Sequence, residues 1–234
     1  MGPFLHEFFS PLDFLRAAPQ VWTGFKVNLQ LMFVAEAFVL VFALLLAVVR
    51  GLPGRAALPL RAAAVLYTDI FRGTPLLLVL LMVQGFATLN YFGLSSGTLF
   101  TNAVIALTLV YTAYVTEVFR AGIESVHPSQ RMAARSLGLS YMQTMRYVVL
   151  PQAIRRVVPP LLNDFVGLQK DTALVSVIGV FEAVAQAGQY SNDFSNFAGE
   201  SVAAVFFIFL TIPLARFTDH IIRQRERRER AQVV

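Results

Sequence analysis

Five apolar stretches, each long enough to cross a bilayer, constrain this chain more than anything else in it. A hydrocarbon core of ~30 Å takes about 20 helical residues to span. Lipid offers the backbone no hydrogen-bond partners, so a crossing segment of this length must be a helix. The stretches run from about Val27 to Val49, Ala62 to Phe86, Ala103 to Phe119, Val157 to Val180 and Val202 to Ile222. The second is interrupted at Asp69-Ile70-Phe71-Arg72-Gly73-Thr74-Pro75, and the last carries Pro213, a position for a kink. The expected fold is an all-α integral membrane protein with five transmembrane helices.

Composition agrees. Hydrophobic residues make up 56% of the chain and charged residues 14%, with a mean hydropathy of +0.63. Soluble domains carry roughly 25% charged residues. The absence of cysteine excludes a disulfide framework and any thiolate chemistry. A pI near 9.9 could point to nucleic acid, but the basic residues sit where membrane topology puts them. All the Lys and Arg except Arg16, Lys26, Arg72 and Lys170 lie after span one, between spans three and four, or at the C-terminal end. The connections around 87–102 and 181–201 contain none. The positive-inside rule then sets the N-terminus outside, with the 121–156 loop and the C-terminus in the cytoplasm.

Residues 1–25 lack a basic n-region and a small-residue cleavage site, so no removable signal peptide is expected. Phe4, Leu5, Phe8, Phe9, Phe14, Leu15, Trp22 and Phe25 instead suit an interfacial helix at headgroup level. The transmembrane core is expected over 26–222. The arginine-rich run at 223–234 reads as a stop-transfer anchor drawn to anionic lipid.

The loop between spans three and four has its own helix signals. With Ser129 as N-cap, a helix carries Met132, Ala133, Ala134 and Leu137 on one face and Arg131 and Arg135 on the other. Gly138 suits a left-handed C′ position. Ser140-Tyr141-Met142-Gln143 is a capping box that starts a second helix, expected to end near Leu150, before Pro151. Two short capped helices over about 128–151 would present an apolar stripe to the cytoplasm.

This stretch resembles the EAA loop of permease subunits of ABC importers: Glu-Ala-Ala, three residues, Gly, nine residues, then Ile-x-Leu-Pro. Ala133, Ala134, Gly138, Val148, Leu150 and Pro151 fall at the matching places. Lys170-Asp171-Thr172-Ala173-Leu174-Val175-Ser176, Phe71-Arg72-Gly73-Thr74-Pro75 and Tyr114-Val115-Thr116-Glu117-Val118-Phe119-Arg120 are similar to the polar amino acid branch. Met132 departs from the pattern by standing where the family has Glu. With Ser129 as N-cap that position is N3, so Met forgoes the reciprocal cap, a loss of about 1 kcal/mol. The resemblance implies a coupling loop, a second permease subunit of the same or a homologous chain, two copies of a cytoplasmic ATP-binding subunit, and an extracytoplasmic substrate-binding protein. It implies alternating-access import of a polar amino acid.

Ionisable residues at membrane depth are costly and face a bundle interior or a wet cavity. Asp69 with Arg72, and Glu117 with Arg120, are three apart and can pair on one helix face. Span four, with Asn163, Asp164, Lys170, Asp171, Thr172 and Ser176, is too polar for lipid and is the leading stretch for a substrate path. Lys170 could meet a carboxylate or hold an acid. Glu36 in span one is a further path candidate, or a hydrogen-bonded helix contact.

There is no G-x-x-x-x-G-K-[ST], so P-loop ATP binding is not expected in this chain. His6 and His127 lie outside the spans, His220 at the end of the last one, and all three are far apart, which argues against a metal site or hydrolase centre. No cofactor is expected. The rival reading is a stand-alone secondary transporter coupled to ions through its membrane acids.

Overall fold

The computed structural model describes residues 7–91 and 97–231, with side chains as far as Gln224. Phe4, Leu5, His6, the tip of the 87–102 connection and the tail's side chains beyond 224 lie outside the described residues. Three helices are by themselves long and apolar enough to cross a membrane, and two bent helix pairs bring the count to five.

Helix α1 (Pro11–Arg50) starts at Ser10, whose Oγ accepts from the Asp13 N–H at 3.5 Å, and it ends at Gly51. It runs unbroken through Pro19. No helix break marks the point near residue 25 where an interfacial segment was expected to meet span one. Ala17, Val21 and Phe25 instead bury against Ala183, Ala187, Tyr190, Ala198 and Val202, and this packed stripe keeps both sides of Pro19 in line. Farther along, Ala35, Val39, Ala43 and Ala47 are buried at four-residue spacing. Small residues at that spacing let helix backbones come close.

Span two is α2 (Leu58–Gly73) and α3 (Leu76–Thr88), turned 108° at the break. The residue before a proline is pushed toward extended geometry; Thr74 obeys, with φ −103 and ψ 128, and stops α2. Helix α4 (Leu99–Glu124) is the centre of the bundle: 67% of its apolar window is buried, against 28% for the windows of α1 and the last helix. Leu107, Val110 and Val115 pack there against the small-residue face of α1. A Cβ on Gly122 would come within 2.1 Å of Val157 Cγ1, so glycine is what lets the fourth span approach.

The loop helix α5 (Pro128–Ser136) is capped differently from expectation. Its N-cap is His127, whose Nδ1 accepts from the Ser129 N–H at 3.2 Å. Pro128 takes the first helical position, where its missing N–H costs nothing and its fixed φ is helical. Ser129 is thus inside the helix. Met132 lies beyond the third position, and the cap that Glu would have closed there does not exist. The other end is as expected. Gly138 has φ +82, its N–H reaches Arg135 O at 3.0 Å, and the Leu139 N–H reaches Ala134 O at 3.2 Å, a Schellman motif.

The Ser140–Gln143 capping box is present in both directions, at 2.8 and 3.2 Å. The helix it starts does not end before Pro151. α6 (Tyr141–Thr144) passes through a π-helical stretch, Met145–Val149, into α7 (Leu150–Asp171). A π stretch shifts the hydrogen-bond ladder by one residue. Here that shift falls in the turn where Pro151 can neither donate nor tolerate the usual carbonyl. The coupling helix and span four are consequently one continuous piece. A 3₁₀ stretch, Thr172–Ile178, follows α7; Gly179 then turns left-handed at φ +92, and the chain bends 52° into α8 (Ala183–Phe194). Helix α9 (Ala198–Ala231) closes the bundle.

Candidate functional site

The break in span two, α4 and α7 enclose a cleft of about 470 Å³ lined by Arg72, Gly73, Thr74, Pro75, Tyr111, Tyr114, Asn163, Asp164, Gly167 and Asp171. A second cleft of about 450 Å³ shares Arg72, Tyr114 and Asp164 and extends to Glu117, Arg120 and Arg156. A larger groove of about 730 Å³ between α1, α2 and α4 is lined almost wholly by apolar side chains such as Phe38, Phe42 and Leu109. It offers no charge to a polar solute, so the two smaller clefts are where binding chemistry converges.

Each cleft residue is placed by a local reason. The Tyr111 hydroxyl donates to Asp171 Oδ2 at 2.7 Å. It passes across Gly167, where an added Cβ would stand 3.2 Å from that oxygen. Arg72 lies in the last turn of α2, and its guanidinium sits 5.9 Å from the centre of the Tyr114 ring. Among the described residues no ion pair joins it to Asp69. The expected pair does not form: at the break the Arg72 guanidinium faces the Tyr114 ring on α4, and both Asp69 and Arg72 are exposed. Asp164 is half-buried, and its Oδ2 is buried without a hydrogen-bond partner. Glu36 Oε2 on α1 is in the same condition, and the two carboxyl groups are near enough to interact electrostatically.

The Glu117–Arg120 pair is present, with Nη2 to Oε2 at 2.7 Å and Nε to Oε2 at 2.9 Å. Its other oxygen takes the Arg50 guanidinium, which also donates to Thr68 Oγ1 at 3.0 Å; Glu124 holds the far side of Arg120. Sequence reasoning read Arg50 only as the end of span one. Its place three residues past Ala47, the last of the buried Ala35–Ala47 stripe, was not enough to reveal a bond to α4.

The span-four candidates separate. Asn163, Asp164 and Asp171 line the cleft. Lys170 is exposed, lines neither cleft, and has no carboxylate within ion-pair distance among the described residues. Thr172 is buried, donates to Gln169 O at 2.7 Å and accepts from Asn28 Nδ2 at 3.1 Å. The Ser176 hydroxyl turns back to Ala173 O at 3.0 Å. Glu36 lines neither cleft. Sequence reasoning missed Tyr111 and Tyr114, whose three-residue spacing on α4 was the available signal, and the buried pair Asn28 and Glu182, for which there was none.

On the loop, Met132, Leu137 and Met142 are 62%, 82% and 70% exposed while Ala134 is buried. Exposed apolar residues concentrated on a loop mark a surface that meets a partner. Among the described residues no group of three or more His, Asp or Glu is placed to hold a metal ion.

A multi-pass helical bundle with a charged central cleft and an apolar loop surface is the form of a membrane transport subunit. Residues 40–230 match the family described as binding-protein-dependent transport system inner membrane component. The chain is 34% identical to the glutamine transport system permease protein GlnP of Escherichia coli K12, over 91% of this chain and 94% of the relative. It is 30% identical to the arginine transport system permease protein ArtQ of Bacillus subtilis, over 92% and 97%. Its fold is similar to a crystal structure of an amino acid ABC transporter with histidines, at a TM-score of 0.82 and 32% identity, covering 91% of this chain and 97% of that one. A methionine ABC transporter structure shares the fold at a TM-score of 0.70 and 22% identity. The chain belongs to the family of inner membrane components of binding-protein-dependent transport systems, as a permease subunit of an ABC importer.

Proposed function

We propose that this permease carries a polar amino acid through the cleft between Arg72 and Asp164, driven by a separate ATP-binding subunit docked on the 128–151 loop. The observation that carries the reading is the pair of opposite charges lining one membrane-depth cleft without an ion-pair partner for either. An amino acid brings a carboxylate for the guanidinium and an ammonium for the Asp164 carboxylate. Asp171, oriented by Tyr111, and Asn163 are then available to a polar side chain. The names of the relatives, glutamine and arginine permeases, support that substrate class.

The assembly would comprise two permease subunits, two ATPase copies and an extracytoplasmic binding protein, the N-terminus outside and the loop in the cytoplasm. ATP-driven closure of the ATPases would move α5, and the continuous α6–α7 rod would carry that movement to Asn163, Asp164 and Asp171. This is alternating access by rocking of packed helices. The test is ATP-dependent accumulation of labelled glutamine and arginine in proteoliposomes holding the chain, its ATPase and its binding protein. Asp164→Asn should abolish accumulation of the transported amino acid while the subunits still co-purify. Accumulation at the wild-type rate in Asp164→Asn would overturn the site, and none of either amino acid in the wild type would overturn the substrate class.

A further inference from the structure

We infer that Asn28 and Glu182 form a buried clamp that positions Asp171, and with it the wall of the substrate cleft. The inference rests on the reading of that cleft as the amino acid site.

Glu182 has no exposed surface, although it lies at the bend between the 3₁₀ stretch and α8. Its carboxylate caps α8, accepting from the Val184 N–H at 2.9 Å and the Ala185 N–H at 3.0 Å. A carboxylate in that position meets the positive end of the helix as well as its unpaired donors. Asn28, 2% exposed on α1, completes the arrangement. Its Nδ2 donates to Glu182 Oε2 at 2.9 Å and to Thr172 Oγ1 at 3.1 Å, and its Oδ1 accepts from the Ala183 N–H at 3.0 Å. One carboxamide thus ties both ends of the 172–182 segment to α1.

Thr172 directly follows Asp171, whose carboxylate lines the cleft and takes the Tyr111 hydroxyl. The 3₁₀ geometry after it is intrinsically poorer in hydrogen bonding than an α-helix, so the segment needs an outside hold. Gly24, one turn before Asn28, shows how close the elements are. A Cβ there would lie 2.5 Å from the Glu182 carbonyl carbon. Asn28 and Glu182 touch neither cleft; they act through Thr172 and Asp171, as positioning residues.

The clamp can be tested in the purified permease–ATPase complex in nanodiscs with two readouts. The first is a buried thiol: Val175, with no exposed surface in the 3₁₀ stretch, replaced by Cys in this Cys-free chain. Its reaction with a membrane-permeant maleimide should be slow with Asn28 present and about tenfold or more faster with Asn28→Ala. The second is binding of labelled arginine and glutamine to the same complex. The transported one should bind about tenfold more weakly with Asn28→Ala, while basal ATP hydrolysis stays within about twofold. Asn28→Asp keeps the acceptor for the Ala183 N–H but offers no donor to Glu182 or Thr172, and should lose both readouts as Asn28→Ala does.

Unchanged thiol protection in Asn28→Ala overturns the clamp whatever the cleft binds. A loosened thiol with undiminished binding, when Asp171→Asn does impair binding, overturns the link from clamp to site. Wild-type binding in Asp171→Asn as well refutes Asp171 as a site residue, and the inference falls with it. Loss of basal hydrolysis in parallel with binding in both Asn28 variants would mark Asn28 as a folding residue only and overturn its positioning role, and full retention of both readouts in Asn28→Asp would overturn the donor bonds as the hold.

Discussion

Two charged clusters border the clefts beside α4, and they are built on opposite principles. At Glu117 both carboxylate oxygens are taken, one by Arg120 and one by Arg50. At the neighbouring cleft, Arg72 and Asp164 have no ion-pair partner among the described residues. Taking charges out of water is costly and is offset only by good pairing and further hydrogen bonds. The first cluster meets that condition inside the chain, locking the ends of α1, α2 and α4 together. The second meets it only when something else brings the missing charges, and the chain keeps it within a cleft of solute size. The difference separates a joint from a binding site more surely than the presence of membrane charges does.

The comparison breaks first at the joint. Glu117→Ala would leave Arg50, with 14% of its side chain exposed, facing Arg120 with no carboxylate between them. Removing one partner of a fully buried pair costs about 3–5 kcal/mol; this cluster is partly exposed, so the membrane yield and thermal stability of this variant should fall clearly but by less than that. Neutralising Arg50 in the same chain should recover part of it. A Glu117→Ala protein as stable as wild type would show that the network is ornamental and the contrast empty.

The cleft should respond in the opposite sense. Asp164→Asn and Arg72→Gln should lower amino acid binding by about tenfold or more, equivalent to about 1.4 kcal/mol, while melting temperatures hold steady. Removing the unpaired, half-buried charge of Asp164 can even stabilise the empty protein. A large drop in stability with unaltered binding would make Asp164 part of a second joint.

How much of this was legible in the sequence depended on whether the deciding interaction was local. The break at Gly73-Thr74-Pro75, the Gly138 turn and the Ser140–Gln143 box all rest on neighbours within a few residues, and each appears where expected. The Glu117–Arg120 pair, one turn of one helix, was equally visible. The Asp69–Arg72 pair had the same spacing and failed, since the 108° break beside it gave Arg72 a contact on another helix. Arg50 with Glu117 and Asn28 with Glu182 are 67 and 154 residues apart, and nothing local announces them. The continuity of α6 with α7 was hidden for another reason. Pro151 reads as a terminator unless the ladder shifts before it, and only the packed loop shows the π stretch.

The loop sharpens the same contrast at lower energy. Gly138 has φ +82 and no heavy atom within 4 Å of where a Cβ would stand. Gly138→Ala should therefore act through backbone strain alone, about 1–2 kcal/mol for an L-residue forced left-handed. Gly138→Trp adds bulk in open space. Both should lower ATPase co-purification by shifting α5, with Trp the stronger where the partner fills that space. Equal, normal co-purification in both would remove the loop from the coupling path.

The smallest effect on the chain itself is expected at Met132, and it now has a definite sign. With His127 as N-cap, a Glu at 132 closes no capping box, so the reason to expect a gain is gone. The side chain is 62% exposed, and exposed substitutions away from special features usually change stability by less than about 0.5 kcal/mol. The cost should appear only on docking. A carboxylate replacing an apolar contact would have to be desolvated against the partner, and an unpaired buried charge is unfavourable. Met132→Glu should then fold and insert normally yet bind the ATPase less tightly, and Met132→Leu, of similar volume, should not. Tighter ATPase binding in the Glu variant would mean that the partner surface opposite Met132 is basic rather than apolar, and that the loop docks by charge.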